Sequence, residues 1–208
     1  MKIAIFGSTG GTGRELVRQA LELGHEVTAF ARSPEKLDDL KRENLRIVKG
    51  DVVNYADVEK AAAGQEAVLS ALGSPTLKAG DTTLSDGTKN IIEAMEADGV
   101  KRFVCETSLG VGDSYDQPGF LFMKVLVPLF LKNAFADKQI QEKYIKASNL
   151  DWIIVRPGGL TNGEKTGEYR HGLDKDISGR ISRADVAEFM LKQLQSDEYL
   201  HKTPAICY

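Results

Sequence analysis

The chain begins with a short apolar run, Lys2-Ile3-Ala4-Ile5-Phe6. It passes straight into Gly7-Ser8-Thr9-Gly10-Gly11-Thr12-Gly13, and an amphipathic segment follows at once. A buried strand, a tight glycine turn and a helix N-terminus in that order make a site for a pyrophosphate. Gly7 suits a turn with positive φ, Gly10 lets backbone approach a ligand, and Gly13 lets the helix pack against the strand. The anion then sits on unpaired amide groups at the positive end of the helix dipole.

The spacing Gly7-x-x-Gly10-x-x-Gly13 is GxxGxxG rather than GxGxxG. This variant resembles the extended and atypical branches of the short-chain dehydrogenase/reductase superfamily. The helix is expected from about Gly11 to Leu23, ending at Gly24-His25, with a second strand over Glu26–Ala31. Sites for NAD place an acidic residue about 20 residues past the glycines, on the ribose 2′-OH. Here that place holds Arg32, with Ser33 beside it and Lys36 one turn on. A carboxylate repels a 2′-phosphate, whereas a guanidinium binds one bidentately. The expected cofactor is therefore NADP(H).

With 208 residues, 42% hydrophobic and 27% charged, the chain fits one well-buried globular domain covering residues 1–208. A formal charge of -3 and the lack of a Lys/Arg cluster argue against a nucleic-acid surface. Two cysteines, Cys105 and Cys207, cannot build a disulfide framework, and Cys105 falls in an apolar strand as a small hydrophobe. The histidines His25, His171 and His201 show no metal-ligand spacing. Met1-Lys2 leads into a strand rather than a signal-peptide core. The most apolar stretch, Phe120 to Phe135, is broken by Lys124, Pro128 and Lys132 and is too short to span a bilayer. The expectation is a cytoplasmic protein without a membrane partner, monomeric or weakly dimeric.

Strand and helix signals alternate through the first three quarters of the chain, which predicts a doubly wound, parallel-sheet α/β domain of Rossmann type. Further strands are expected at Leu45–Lys49, Ala67–Ala71, Arg102–Glu106 and Trp152–Val155, with a short last one around Ala205–Cys207. Helices are expected at Asp57–Ala63, Thr83–Asp98 and Arg183–Gln195. The loop region after the sixth strand reads as a small C-terminal extension on the substrate side. Ligands of open parallel sheets bind beyond the carboxyl ends of the strands. The candidate site is therefore the glycine turn with Arg32, Asp51-Val52, Leu72-Gly73, Thr107-Ser108 and Pro157-Gly158. Asp51 and Val52 would face the adenine, and Leu72 and Gly73 the middle of the cofactor.

A narrower resemblance runs through nearly the whole chain. Ile3–Gly7 with its turn, Gly50-Asp51-Val52, Gly64–Val68, Gly87–Ile91 and Thr107-Ser108 are similar to the flavin reductase, or biliverdin-IX-beta reductase, family. So are Ile181-Ser182-Arg183-Ala184-Asp185, Phe189-Met190-Leu191 and Asp197-Glu198-Tyr199. The resemblance implies NADPH-dependent hydride transfer to flavins, as substrates rather than bound cofactors, and to linear tetrapyrroles. It matches Ser108 to the family's active-site serine and puts Lys138 where related reductases carry a basic side chain facing the cofactor. A turn serine and a solvated helix lysine are the plainer alternatives. The chain has Gly11 and Gly159 where the mammalian enzymes carry glutamine and histidine. Its segment between Ser108 and Lys138 is also longer and more apolar. There Phe120, Leu121, Phe122, Met123, Leu126, Leu129 and Phe130 form either a lid over a planar acceptor, ordinary core or a dimer surface.

No Tyr has a Lys four residues later, so the Tyr-x-x-x-Lys proton-transfer pair of carbonyl reductases is missing. Flavin reduction does not need it, because positioning carries that reaction and water supplies the proton. The absence equally fits a non-catalytic NADP(H)-binding regulator or an assembly factor of the atypical reductase type.

Overall fold

The apolar strand signals resolve into one mainly parallel sheet whose two faces are both covered, as their continuous hydrophobic character requires. The computed structural model describes residues 1–73, 80–119, 127 and 131–208. The apolar segment expected as lid, core or dimer surface (Phe120, Leu121, Phe122, Met123, Leu126, Leu129 and Phe130) lies outside these residues, as does Ser74-Pro75.

In chain order the elements are β1 (Lys2–Phe6), α1 (Gly11–Glu22), β2 (Glu26–Ala31), β3 (Leu45–Lys49), α2 (Tyr55–Ala62), β4 (Ala67–Ser70), α3 (Thr83–Asp98) and β5 (Arg102–Glu106). They continue with α4 (Lys132–Ala147), β6 (Asp151–Pro157), β7 (Gly159–Thr161), β8 (Arg170–Gly172), β9 (Arg180–Ser182), α5 (Arg183–Lys192) and β10 (Ala205–Cys207). The main sheet has the order β3-β2-β1-β4-β5-β6-β10-β8, and β7 pairs with β9 separately. All pairings of the main sheet are parallel except that β8 lies antiparallel on β10. The strands expected from the sequence are all present. The differences lie in the second half, where α4 fills what had been left unassigned and three short strands, β7 to β9, order the expected loop region.

Side-chain alternation sorts the core into two layers. Ile3, Ile5, Leu69, Val104 and Ile153 face α1 and α5, where Leu16, Val17, Val186 and Phe189 meet them. Ala4, Phe6, Val68, Phe103 and Ile154 face the other way, toward Val58 of α2, Ile91 and Met95 of α3 and Ile145 of α4. Period-two alternation in a strand buried on both faces gives this doubly wound arrangement directly.

The helix starts are fastened from different places. Asn54 caps α2 by accepting from the Ala56 amide at 3.1 Å. Ser182 caps α5 in a reciprocal pair with Asp185, accepting from its amide at 3.0 Å and donating to its carboxylate at 2.9 Å. The start of α3 is held from α4, where the buried Asp137 accepts from the amides of Leu84 and Ser85 at 3.0 and 3.2 Å. By contrast, Gly10 caps α1 without a side chain, and no acidic residue stands in its first turn. That dipole end is left facing the carboxyl edge of the sheet.

The glycine turn is built into this packing. Gly7 has φ +75°, and a Cβ on Gly13 would stand 2.0 Å from the Gly7 carbonyl oxygen. Gly13→Ala is therefore expected to lower stability by about 1–3 kcal/mol through overpacking against backbone that cannot move aside. In a domain of this size that is a fall of about 2–4 °C in Tm per kcal/mol. Gly73→Ala, where a Cβ meets nothing within 4 Å, is the matched control and should leave Tm unchanged in thermal unfolding.

Candidate functional site

Two cavities open at the carboxyl edge of the sheet. The first, of about 200 Å3, brings together Gly7, Thr9 and Gly10 of the turn with Arg32, Asp51, Val52, Leu72 and Gly73, and adds Phe30, Ala31, Ala71 and Thr83. Residues from the ends of β1, β2 and β4 and from the loop after β3 thus converge, as a parallel sheet demands. The second cavity, of about 990 Å3, is lined by Ser108, Pro157 and Gly158 together with apolar Leu109, Pro118, Leu131, Phe135 and Leu160. Arg180 and Arg183 also line it.

The turn fits a pyrophosphate. A Cβ on Gly10 would meet only the Gly7 carbonyl, at 3.3 Å, so most of the space beside it is open crevice. A Cβ on Gly7 or Gly13 would collide with backbone, whereas one on Gly10 would point mostly into open space. The Gly10 amide donates to the Gly7 carbonyl at 2.9 Å, and the Arg14 amide to the Gly10 carbonyl at 2.8 Å. No side chain competes for the α1 dipole end, so an anion there is stabilised by amides and field together.

Several predicted residues turn their side chains elsewhere. The Ser8 hydroxyl is fully buried and donates to the Phe30 carbonyl at 2.7 Å, tying β1 to β2. The Thr12 hydroxyl donates to Glu106 at 3.1 Å, and the Thr107 hydroxyl to Glu142 at 2.9 Å. Any contact these three make with a cofactor is through backbone. Gly11 lies under the Arg183 side chain, whose Cδ would be 2.4 Å from an added Cβ. Gly158 is fixed by the fold, since a Cβ there would stand 2.3 Å from the Gly179 carbonyl. Arg32 and Lys36 are exposed and Ser33 is half-buried, with Arg32 at the crevice. The Asp51 carboxylate accepts from the Val53 amide at 3.2 Å, and Val52 packs beneath Gly87.

Ser108 and Lys138 separate. The Ser108 hydroxyl is half-buried on the large cavity and makes only a 3.1 Å contact with the carbonyl of its neighbour Leu109. Lys138 is half-buried and is not among the described residues that line either cavity. Its ammonium donates to the Thr107 carbonyl at 2.8 Å, beneath the strand ends. Burial pushes the Lys138 ammonium below the usual lysine range, against the pull of the Glu106 carboxylate. Burial likewise pushes Glu106 up, with Lys138 and Thr12 opposing. Lys138 holds the β5 terminus that carries Ser108, which is a positioning role.

Sequence reasoning missed Glu106, Arg180, Arg183 and the buried pair of Glu142 with Arg156. The signal for Glu106 was a carboxylate ending an apolar strand, and for Arg156 a guanidinium inside one. Arg156 reaches Glu142 through Nε at 2.9 Å and Nη2 at 2.6 Å, and Asp113 through Nη1 at 2.6 Å. Burial works against the Glu142 charge, but Arg156 and Lys146 overcome it and hold the carboxyl below the usual range. No cluster of three or more metal-ligating side chains occurs among the described residues, and none of their helices is long and apolar enough to cross a membrane. Cys105 is buried, and burial pushes its thiol up to about 12, so it is chemically inert.

Gly10→Val is expected to abolish the rise in Tm that NADPH gives, because the branched side chain enters the crevice where a pyrophosphate must approach. The apoprotein should melt only modestly lower. Thermal unfolding with and without NADPH reads both effects, and an undiminished NADPH shift would put the phosphate turn elsewhere.

Comparison with known proteins agrees with this geometry. The chain is 35% identical over 99% of its length to an uncharacterized chloroplastic protein of Arabidopsis thaliana, covering 76% of that protein. The crystal structure of the oxidoreductase YlbE from Lactococcus lactis superposes with a TM-score of 0.83 at 26% identity, over 99% of this chain and 90% of that one. The anaerobillin reductase ChuY of Escherichia coli O157:H7 shares the fold with a TM-score of 0.84 at 24% identity, over 99% and 96% of the two chains. The sequence family described as NAD(P)H-binding matches residues 7–197, from the first glycine of the turn almost to the end of the chain. The chain thus belongs to the NAD(P)H-binding family and has the Rossmann-type α/β fold of its oxidoreductases.

Proposed function

We propose that the chain is an NADPH-dependent reductase of flavins such as FMN and riboflavin, with linear tetrapyrroles such as biliverdin as further planar acceptors. The observation that carries this reading is the adjacency of two unlike cavities at one sheet edge. A narrow crevice of about 200 Å3 ends at Arg32, and a wide, mainly apolar one of about 990 Å3 opens at Ser108. Arg183 lines the wide cavity and lies on Gly11 of the turn, so a cofactor stretched from Arg32 past the turn ends beside the wide cavity.

When bound, NADPH supplies the reducing hydride. The residues of this chain bind, orient and exclude water. Arg32 takes the 2′-phosphate, and the α1 amides take the pyrophosphate. Asp51 and Val52 border the adenine, and Leu72 and Gly73 leave room for the ribose. Leu109, Phe135 and Leu160 offer an apolar wall for a planar ring, and the Ser108 hydroxyl, which donates to the Leu109 carbonyl at 3.1 Å, exchanges that bond for one to the acceptor or the nicotinamide amide. Pre-arranged geometry of this kind replaces bimolecular encounter with an oriented pair.

NADPH oxidation measured with and without FMN tests the reading. Stabilisation by NADPH with no oxidation by any flavin would replace it with a non-catalytic NADP(H)-binding role.

Arg32→Ala should weaken NADPH binding by about 1.5–3 kcal/mol, the range for a hydrogen bond to a charged group, and leave NADH nearly unchanged. Titration of the two cofactors decides; equal losses would remove the case for NADPH.

Ser108→Ala should lower flavin turnover by no more than about tenfold, roughly one hydrogen bond of transition-state stabilisation. The rate should stay nearly flat between about pH 6 and 8, since water is the proton source. Were Lys138 the acid, its burial-depressed ammonium would deprotonate as pH rises and the rate would fall with it. A falling alkaline limb, or a loss of about a thousandfold in Ser108→Ala with cofactor affinity intact, would point to a carbonyl-type acceptor instead.

A further inference from the structure

The wide cavity is unevenly charged. Two arginines, Arg180 and Arg183, line it together with the apolar Leu109, Leu131, Phe135 and Leu160, and no acidic side chain lines it among the described residues. Arg183 spends Nη1 on the Asn162 side-chain oxygen at 2.6 Å, a neutral partner. Arg180 forms no salt bridge among the described residues, although other surface arginines of the same region are paired, as Arg170 is with Asp176.

Arg180 is also held in place. It opens β9, where it pairs in register with Gly159 of β7, and its carbonyl accepts from the Tyr208 amide at 2.9 Å. The Gly159 amide donates to the Gly179 carbonyl at 2.8 Å, and Gly158 packs against that same carbonyl. The backbone that carries the guanidinium is therefore locked to the end of β6, on the same cavity as Ser108. The 2′-phosphate side of the crevice is served by Arg32, at the opposite end of the sheet edge, so the cofactor does not account for Arg180.

We infer that the acceptor is an anion: a planar ring system whose side chain carries a phosphate or carboxylate, which Arg180 binds with Arg183 beside it. This rests on the reductase reading and narrows its substrate class. Two like charges lining one cavity are stabilised when a ligand brings the counter-charge, and the planar fork of arginine matches either acid group. A neutral acceptor leaves the exposed Arg180 guanidinium without a counter-charge, whereas Arg183 already has Asn162 and the nearby Glu106 carboxylate. The acid end fixes the ring's rotation in the cavity, so that its reacting edge is presented on the Ser108 side.

FMN and riboflavin test this directly, because they differ by one phosphate. A flavin with a carboxymethyl side chain, set against its neutral methyl ester, does the same for a carboxylate. Binding is read from flavin fluorescence on the NADP+-loaded protein, separately from turnover. The wild type should bind FMN about tenfold tighter than riboflavin, as one charge-assisted contact allows. Arg180→Gln should bring the two within about twofold through loss of FMN affinity alone, with NADPH affinity unchanged, and Arg180→Lys should keep part of the preference. A preference by the wild type for the carboxymethyl flavin alone would assign the site to carboxylates. Equal binding of charged and neutral partners in both pairs by the wild type would overturn the inference. So would the absence of binding by both charged flavins, or an Arg180→Gln variant that weakens NADPH instead. An intact preference for the charged flavin without NADPH oxidation would keep the anion site and refute the reductase reading.

Discussion

The approach of α1 to the end of β1 is the constraint from which the site follows. Gly13 passes so near the Gly7 carbonyl that a single added carbon would stand 2.0 Å from it, and Gly7 itself sits in the left-handed region beneath Ala71. This contact brings the amide end of α1 to the carboxyl edge of the sheet. The parallel order β3-β2-β1-β4-β5-β6 then lines up every other strand end along that edge. Because both faces of the sheet are buried, no strand can slip by one residue without moving its apolar set to the wrong layer. The crevice is thus a consequence of packing, and of the turn glycines lining it Gly10 has open space where a side chain would stand.

A second level of order comes from buried charge. Glu142 and Arg156 are nearly inaccessible, and together they hold Thr107 on one side and Asp113 on the other. Removing two charges from water is costly, and such pairs contribute more to a unique arrangement than to stability. What this pair specifies is the path of the chain between β5 and the 3-10 turn at Gly112–Ser114, which contains Ser108. Lys138 adds a third tie through the Thr107 carbonyl. Ser108 is therefore presented from a braced loop on the wide cavity.

The amino-terminal two thirds of the fold were legible in the sequence because local pattern and global role coincide there. Short apolar runs bounded by glycine can only be buried strands in such a chain, and strand ends in an open parallel sheet form the site. Thus Gly7, Thr9, Gly10, Arg32, Asp51, Val52, Leu72 and Gly73 meet in one crevice, as their places in the chain indicate. The reading was weaker where polar residues do structural work. Ser8, Thr12 and Thr107 are of the right type and at the right edge, yet their hydroxyls serve Phe30, Glu106 and Glu142. Nothing in a linear pattern tells which way a short polar side chain points.

By itself the sequence determined the order of strands and helices from β1 to β5, the glycine turn and the basic residue that takes the place of an acidic one at Arg32. These are local properties, set by side-chain periodicity, backbone freedom and the sign of a charge. Tertiary structure alone decided that α3 is capped from α4 by Asp137, that Lys138 is bound to the Thr107 carbonyl at the end of β5, and that Arg180 and Arg183 line one cavity with Ser108. Each of these joins residues dozens of positions apart. Such contacts exist only once the sheet has brought distant segments to one edge, and no spacing along the chain encodes them.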